Sequence, residues 1–100
     1  MDKKSKLENL RKEIDALDLK ILDLISERKK IVTEVVKLKD RDQIVDEERI
    51  LSIHKKLKTE AEKRHLPKKF ITDVWNLMIE SFIEYEKDIF DKVHNLNKDD

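Results

Sequence analysis

Apolar residues recur at spacings of three and four along the N-terminal part of the chain, with no glycine or proline among them. The series comprises Leu7, Leu10, Ile14, Leu17, Ile21, Leu24, Ile31, Val35 and Leu38. This spacing places the side chains on one face of an α-helix. The pattern predicts a first helix over about residues 7–39, which is about 50 Å long at about 1.5 Å per residue.

One position of this apolar face holds a cation. Arg28 stands where the series requires an apolar residue, and burying a guanidinium is costly unless an anion meets it. Two interpretations stay open. In the first, Arg28 has a structural role: it extends its charge to solvent or pairs with a core acid such as Glu86. In the second, Arg28 binds an anionic ligand.

Two other cations bear on the second interpretation. Lys39 follows Arg28 by eleven residues and shares its helical face. Arg11 lies on a different face and about 25 Å away along the axis, so a single helix cannot bring Arg11 and Arg28 to one small ligand. A second copy could supply Arg11. A compact domain of this length has a radius of gyration of only about 13 Å, so the long apolar face predicts either a partner chain or an elongated bundle, and we favour an intertwined homodimer.

Two further helices are predicted. Asp46 is a suitable N-cap for a helix that runs to about residue 64, and Pro67 suits the first turn of a third helix over about residues 68–93. The remaining segments are a polar connection at 40–45 and polar tails at 1–6 and 94–100. We therefore expect an all-α fold of three helices, long–short–long, forming a single domain over residues 1–100 with its core at about 7–93.

Glu86 lies on the apolar face of the third helix, with Phe82 and Ile83 one turn before it and Phe90 one turn after it. Burial there favours the neutral acid, which is a hydrogen-bond donor. A pocket with several cations and one neutral acid suits a small dicarboxylate held by arginines. Alternatively, Lys39 complements a helix dipole at the surface, and Arg49 and Asp46 are a solvated charge and a cap.

The overall charge excludes some classes of function. Lys plus Arg and Asp plus Glu each number 23, so the formal net charge is zero. This argues against a nucleic-acid binder and a polybasic membrane protein. The chain has no cysteine, which fits a reducing compartment, and we expect it to be cytoplasmic. Neither a metal motif nor a phosphate-binding loop is present.

The first helix resembles that of the all-helical chorismate mutases of the bacterial three-helix type. The resemblance rests on LRKEIDALDLKILDLISERKKIVTEVVKLK, on VDEERI and on ITDVWNLMIESFIEYE, and it covers about residues 7–90. It implies an intertwined homodimer that converts chorismate to prephenate without a cofactor or metal. The implied catalytic residues are Arg28, Lys39 and Glu86. The positions implied to bind substrate are Arg28, Lys39, Asp46, Arg49, Ile50, Phe82 and Glu86 of one chain and Arg11 of the other.

Three positions differ from the commonest family pattern. Glu86 stands where many members have glutamine, Ile50 where a glutamate commonly binds the ring hydroxyl, and Phe82 where a small hydroxyl residue is usual. The pocket is therefore less polar near that hydroxyl. Two alternatives stay open: an isochorismate-pyruvate lyase or a mutase of a chorismate analogue on the same fold, and a non-enzymatic helical dimerisation module.

Overall fold

The computed structural model describes residues 2–95, which are almost entirely helical. The helices are α1 (Lys3–Leu38), α2 (Glu47–Lys63) and α3 (Lys68–Val93), with a short 3₁₀ turn (Arg41–Gln43) between α1 and α2. These residues contain no strand. The all-α prediction and the long–short–long order are confirmed. The chain divides into two units, and the boundary between Ile31 and Val32 falls within α1.

Helix α1 begins earlier than the sequence pattern predicted. The backbone N–H of Ser5 donates to Asp2 Oδ1 at 2.8 Å, and that of Lys6 donates to the Asp2 carbonyl at 3.1 Å. The side-chain bond is that of a helix N-cap, and the bond from Ser5 lowers the pKa of Asp2. The expectation of a non-helical segment at 1–6 is therefore wrong from Lys3 onwards, because Asp2 satisfies N–H groups that the helix leaves open.

Helix α2 begins and ends close to the predicted positions. The Asp46 carboxylate accepts from the backbone N–H of Arg49 at 3.0 Å, which confirms Asp46 as the N-cap. At the other end His65 has a φ of 56°, its N–H donates to the Glu62 carbonyl at 3.1 Å, and the Leu66 N–H donates to Ala61 at 2.9 Å. This is a Schellman ending, in which a histidine occupies the left-handed position that glycine usually takes.

The core of the C-terminal unit lies where α1, the following connection and α3 pack together. Val36, Ile44 and Phe90 are buried against one another. The partly buried residues around them are Val32, Ile83, Ile89 and Val93. The expectation of a polar connection at 40–45 is wrong for Ile44, which secures that connection to the core.

The apolar face of the N-terminal unit is open to solvent in the single chain. Leu7, Leu10, Ile14, Leu17, Ile21 and Leu24, which we call the N-terminal stripe, are each 46% to 63% exposed. Such a long apolar face is unusual for the surface of a monomer. The helical periodicity is thus confirmed, whereas the N-terminal unit alone does not bury the side chains of the N-terminal stripe.

Two sequence-based expectations concern the chain ends and the membrane. Met1 and residues 96–100 lie outside the described residues, so most of the predicted polar tail at 94–100 is untested. His94 is described: it forms the C-cap of α3 and is half-buried. Within residues 2–95, none of the helices has the length and apolarity needed to cross a membrane.

Candidate active site

The C-terminal unit brings together two of the predicted site residues. Lys39 is the first residue after α1, and Glu86 lies in the second half of α3. The Lys39 ammonium donates to Glu86 Oε1 at 3.1 Å, with the lysine side chain 22% exposed and the glutamate side chain 8% exposed. Both side chains therefore point inward, as predicted for Glu86, and this favours the site interpretation of Lys39 over that of a surface lysine complementing a helix dipole.

The pair is electrically balanced but held where water has little access. Breaking such a pair leaves an uncompensated charge in a region of low polarity. The arrangement gives Lys39 a fixed position and leaves two of its three N–H groups for other acceptors. The neutral state predicted for Glu86 stays a prediction.

Of the predicted site residues near the start of α2, Asp46 lines the same groove as Lys39. Leu38, Lys39, Asp42, Gln43, Val45, Asp46, Glu47 and Glu48 line a shallow open groove. Asp46 uses its carboxylate as the helix cap, so the structural interpretation of that residue is confirmed. Arg49 lies exposed in the first turn of α2, and Ile50 beside it is half-buried.

Phe82 lies one turn before Glu86 on α3 and is half-buried. Its ring meets that of Tyr85 edge-to-face, with 6.3 Å between centroids and 87° between planes. The Tyr85 hydroxyl shares a hydrogen bond of 2.7 Å with Thr33 of α1. These contacts fix α3 against the last turns of α1, next to the Lys39–Glu86 pair.

Two predicted arginines belong to the N-terminal unit. Arg28 is half-buried, and its Nη1 atom is shielded from solvent. Arg11 is exposed.

Sequence reasoning missed three polar residues around the end of α1. Arg41 forms an ion pair with Asp91 and lies over the Phe90 ring at 4.6 Å from its centroid. His94 stacks on the same ring, with centroids 4.1 Å apart, and its Nε2 lies 2.8 Å from the Val36 carbonyl oxygen. No local pattern marks the contact of Arg41 with Asp91 or that of His94 with Val36, because these join residues 50 and 58 positions apart in the chain.

The described residues offer no cluster of acids and histidines that could hold a metal ion. The polar groups that do converge are a lysine and a glutamate. Their chemistry is that of hydrogen-bond donation and charge stabilisation.

Comparison with known families gives this arrangement a context. A sequence model of the chorismate mutase type II family matches residues 10–87, which include Arg11, Arg28, Lys39 and Glu86. The chain belongs to the chorismate mutase type II family. The resemblance predicted from the first helix is confirmed.

Several curated proteins are similar to this chorismate mutase family member. It is 32% identical over 99 residues to a bifunctional chorismate mutase/prephenate dehydratase of Buchnera aphidicola subsp. Schizaphis graminum, covering 97% of the chain and 26% of that protein. The corresponding protein of Buchnera aphidicola subsp. Acyrthosiphon pisum is 33% identical over 90 residues, covering 88% of the chain and 23% of that protein. The chain thus spans about a quarter of the length of these two relatives.

A third relative is similar in length. The chorismate mutase of Methanocaldococcus jannaschii is 28% identical over 95 residues, covering 93% of the chain and 96% of that protein. No solved structure matches the chain significantly.

Proposed function

We propose that this chain, as a single chorismate mutase-like domain, catalyses the rearrangement of chorismate to prephenate. The observation that carries the proposal is the inward Lys39–Glu86 pair, at 3.1 Å, within the segment that matches the family. Both the family match and the names of the relatives favour a mutase over the lyase and over a non-enzymatic module. The absence of cysteine supports a reducing, cytoplasmic location.

A count of charges supports a dianionic substrate. The Lys39–Glu86 pair contributes no net charge when both groups are ionised, and one positive charge when Glu86 is protonated, as its proposed role requires. Arg28 and an Arg11 from a second copy contribute two positive charges, which equal the two carboxylates of chorismate. Arginine suits this task because its planar group can bind a carboxylate through two parallel hydrogen bonds.

The exposed N-terminal stripe supports the homodimer. Each of its six side chains is 46% to 63% exposed in the single chain, and a second copy of the same helix offers a matching apolar face. Burial of apolar surface contributes about 25 cal/mol per Å². Closed two-fold dimers are the commonest homo-oligomers, and two-fold symmetry lets each copy give its Arg11 to the site of the other.

The proposed chemistry needs no nucleophile. The reaction is unimolecular and pericyclic, so the site has to hold the flexible enolpyruvyl group over the ring in a chair-like conformation. The two arginines hold chorismate in this conformation by binding its two carboxylates. Lys39 then donates to the ether oxygen, where negative charge develops as the C–O bond breaks. A protonated Glu86 donates to the same oxygen, and Arg49 adds positive potential at the start of α2.

The substrate preference depends on the less polar positions. Ile50 and Phe82 are both half-buried, and neither side chain can hydrogen-bond the ring hydroxyl. We therefore propose that the carboxylates, rather than the hydroxyl, contribute most of the binding energy. The Asp46 carboxylate already accepts the capping hydrogen bond of α2, so Asp46 would contact the substrate only at the edge of the groove that it lines.

The test is a chorismate assay with variants matched by type and position. The purified chain should form prephenate, and Lys39→Ala should abolish that activity. Lys37→Ala is the control, because Lys37 lies two residues away and pairs with Glu34 at the surface. Isochorismate is assayed in parallel for salicylate and pyruvate. Failure of the parent chain to convert chorismate, or equal activity of the two lysine variants, would contradict the proposal.

A further inference from the structure

Both ends of the segment that carries Lys39 are fastened to the last turn of α3. This segment, residues 37–40, which we call the Lys39 segment, contains the end of α1 and the two residues after it. Val36 immediately before it and Arg41 immediately after it each contact the C-terminal end of α3. The ammonium of Lys39 reaches the same helix one turn earlier, at Glu86.

The contact before the segment is a hydrogen bond to a helix-end carbonyl. Val36 O accepts from the backbone N–H of Lys39 at 3.2 Å and from His94 Nε2 at 2.8 Å. A carbonyl oxygen only accepts, so His94 Nε2 carries the hydrogen. The last four carbonyls of a helix lack partners within it, and His94 supplies one from a position 58 residues away.

The contact after the segment is an ion pair supported by an aromatic ring. Arg41 pairs with Asp91, and its guanidinium lies 4.6 Å from the centroid of Phe90. His94 stacks on Phe90 as well, at 4.1 Å and 24°. Phe90 is itself buried with Val36 in the core. One ring therefore connects both ends of the Lys39 segment.

We propose that His94 and Arg41 are positioning residues for Lys39: they hold the Lys39 segment on the end of α3, so that the ammonium meets the reacting ether oxygen at the correct place. This proposal rests on the proposed function of Lys39. A displacement of about 1 Å in a catalytic group can reduce the rate by about a hundredfold. Loss of either contact should therefore lower kcat and leave KM nearly unchanged, because the arginines that bind the carboxylates are untouched.

The variants separate the hydrogen bond from the ring contact. His94→Phe keeps an aromatic ring to stack on Phe90 but removes the donor, whereas His94→Gln keeps a donor at the end of a side chain of similar length. We expect His94→Phe to lower kcat about tenfold or more, with KM within about threefold of the parent value. His94→Gln should recover at least half of that loss on a logarithmic scale. Arg41→Gln, at an exposed position, should also lower kcat more than it raises KM.

Val93→Ala is the stability control. Val93 packs against the same core and precedes His94, but it holds no hydrogen bond to the Lys39 segment among the described contacts. It should reduce the urea midpoint without changing kcat, as long as the assay is run where the variant is folded. An equal fall in kcat in Val93→Ala and His94→Phe would show that kcat follows general stability and not the position of the Lys39 ammonium. That result would overturn the proposal.

An independent readout is the hydrogen exchange of the Lys39 amide, which donates to Val36 O. This amide should exchange faster in His94→Phe, by more than the change in global stability accounts for, and should not do so in Val93→Ala. If the parent chain does not convert chorismate, the proposed function fails, and the exchange result alone then judges whether His94 holds the segment. Unchanged kcat in His94→Phe, failure of His94→Gln to recover activity, or unchanged exchange would each overturn the proposal.

Discussion

Replacing Lys39 with methionine tests the inward pair most sharply, because methionine keeps most of the side-chain volume and removes the charge and its N–H donors. The variant leaves the Glu86 carboxylate, with 8% of its side chain exposed, without its cation. Two unit charges 3.1 Å apart attract by about 5 kcal/mol at an effective dielectric constant of about 20. The cost of desolvating the two charges offsets much of this attraction. When only Lys39 is removed, the desolvation cost of the remaining Glu86 carboxylate is not recovered.

Breaking a buried pair by removing one partner costs about 3–5 kcal/mol. About a fifth of the Lys39 side chain is exposed, so water can reach the gap, and we expect the free energy of unfolding to fall by about 2–4 kcal/mol. Loss of one donor to the developing charge should lower kcat by about a hundredfold to a thousandfold.

The assay is a double-mutant cycle in urea, followed by circular dichroism at one fixed protein concentration. Lys39→Met, Glu86→Gln and the double variant are compared with the parent chain. The double variant should be more stable than the sum of the single effects predicts, by at least about 1 kcal/mol. Lys37→Met is the control, since its exposed ion pair with Glu34 contributes only about 0.2–0.5 kcal/mol. If Lys39→Met matched Lys37→Met in both stability and kcat, the inward pair would have no energetic or catalytic role.

Three further predictions concern other parts of the chain. His65→Gly should raise the free energy of unfolding by about 1 kcal/mol, because His65 holds a left-handed conformation (φ of 56°) that disfavours a Cβ; a lower urea midpoint would contradict this. The hydrogen bond from Arg64 lowers the pKa of Glu60 below its ordinary value of 4.5. The ionised Glu60 therefore stabilises the folded chain above pH 4.5, and this contribution to the free energy of unfolding is lost as the pH falls through the folded-state pKa. The parent chain should therefore be more stable than Glu60→Gln at neutral pH and equal to it in strong acid, and a difference that persisted in acid would be inconsistent with the linkage. Leu17→Glu in the N-terminal stripe should halve the mass measured by sedimentation and abolish activity, whereas Lys12→Glu should change neither; an unchanged mass for Leu17→Glu would exclude the stripe as the dimer interface.

Much of the fold follows from local patterns in the sequence. Apolar spacing indicates all three helices, and Asp46 and Pro67 mark where α2 and α3 begin. These signals are short-range, because caps and proline act within one helical turn. The inward direction of Glu86 follows in the same way from its apolar neighbours on α3.

The residues that sequence reasoning missed depend on contacts across the fold. His94 lies in a polar segment, and its role is set by the carbonyl of Val36, 58 residues earlier. Ile44 is buried and the neighbouring Val45 is exposed, and two adjacent apolar residues in a short connection carry no periodicity that could tell them apart. In the same way, the pairing of Lys39 with Glu86 was not predicted, because helical angles give the face on which a residue lies and not the residue that its side chain reaches on another helix.

The central claim is that basic side chains from two copies of the chain meet at one site. It is tested by mixing two variants, Arg11→Ala and Lys39→Met, after joint unfolding and refolding. Each variant alone should be inactive. If Arg11 acts across the interface, half of the random dimers are mixed, each has one intact site, and the mixture should regain about a quarter of the parent activity. A mixture that stays as inactive as its components would contradict the account.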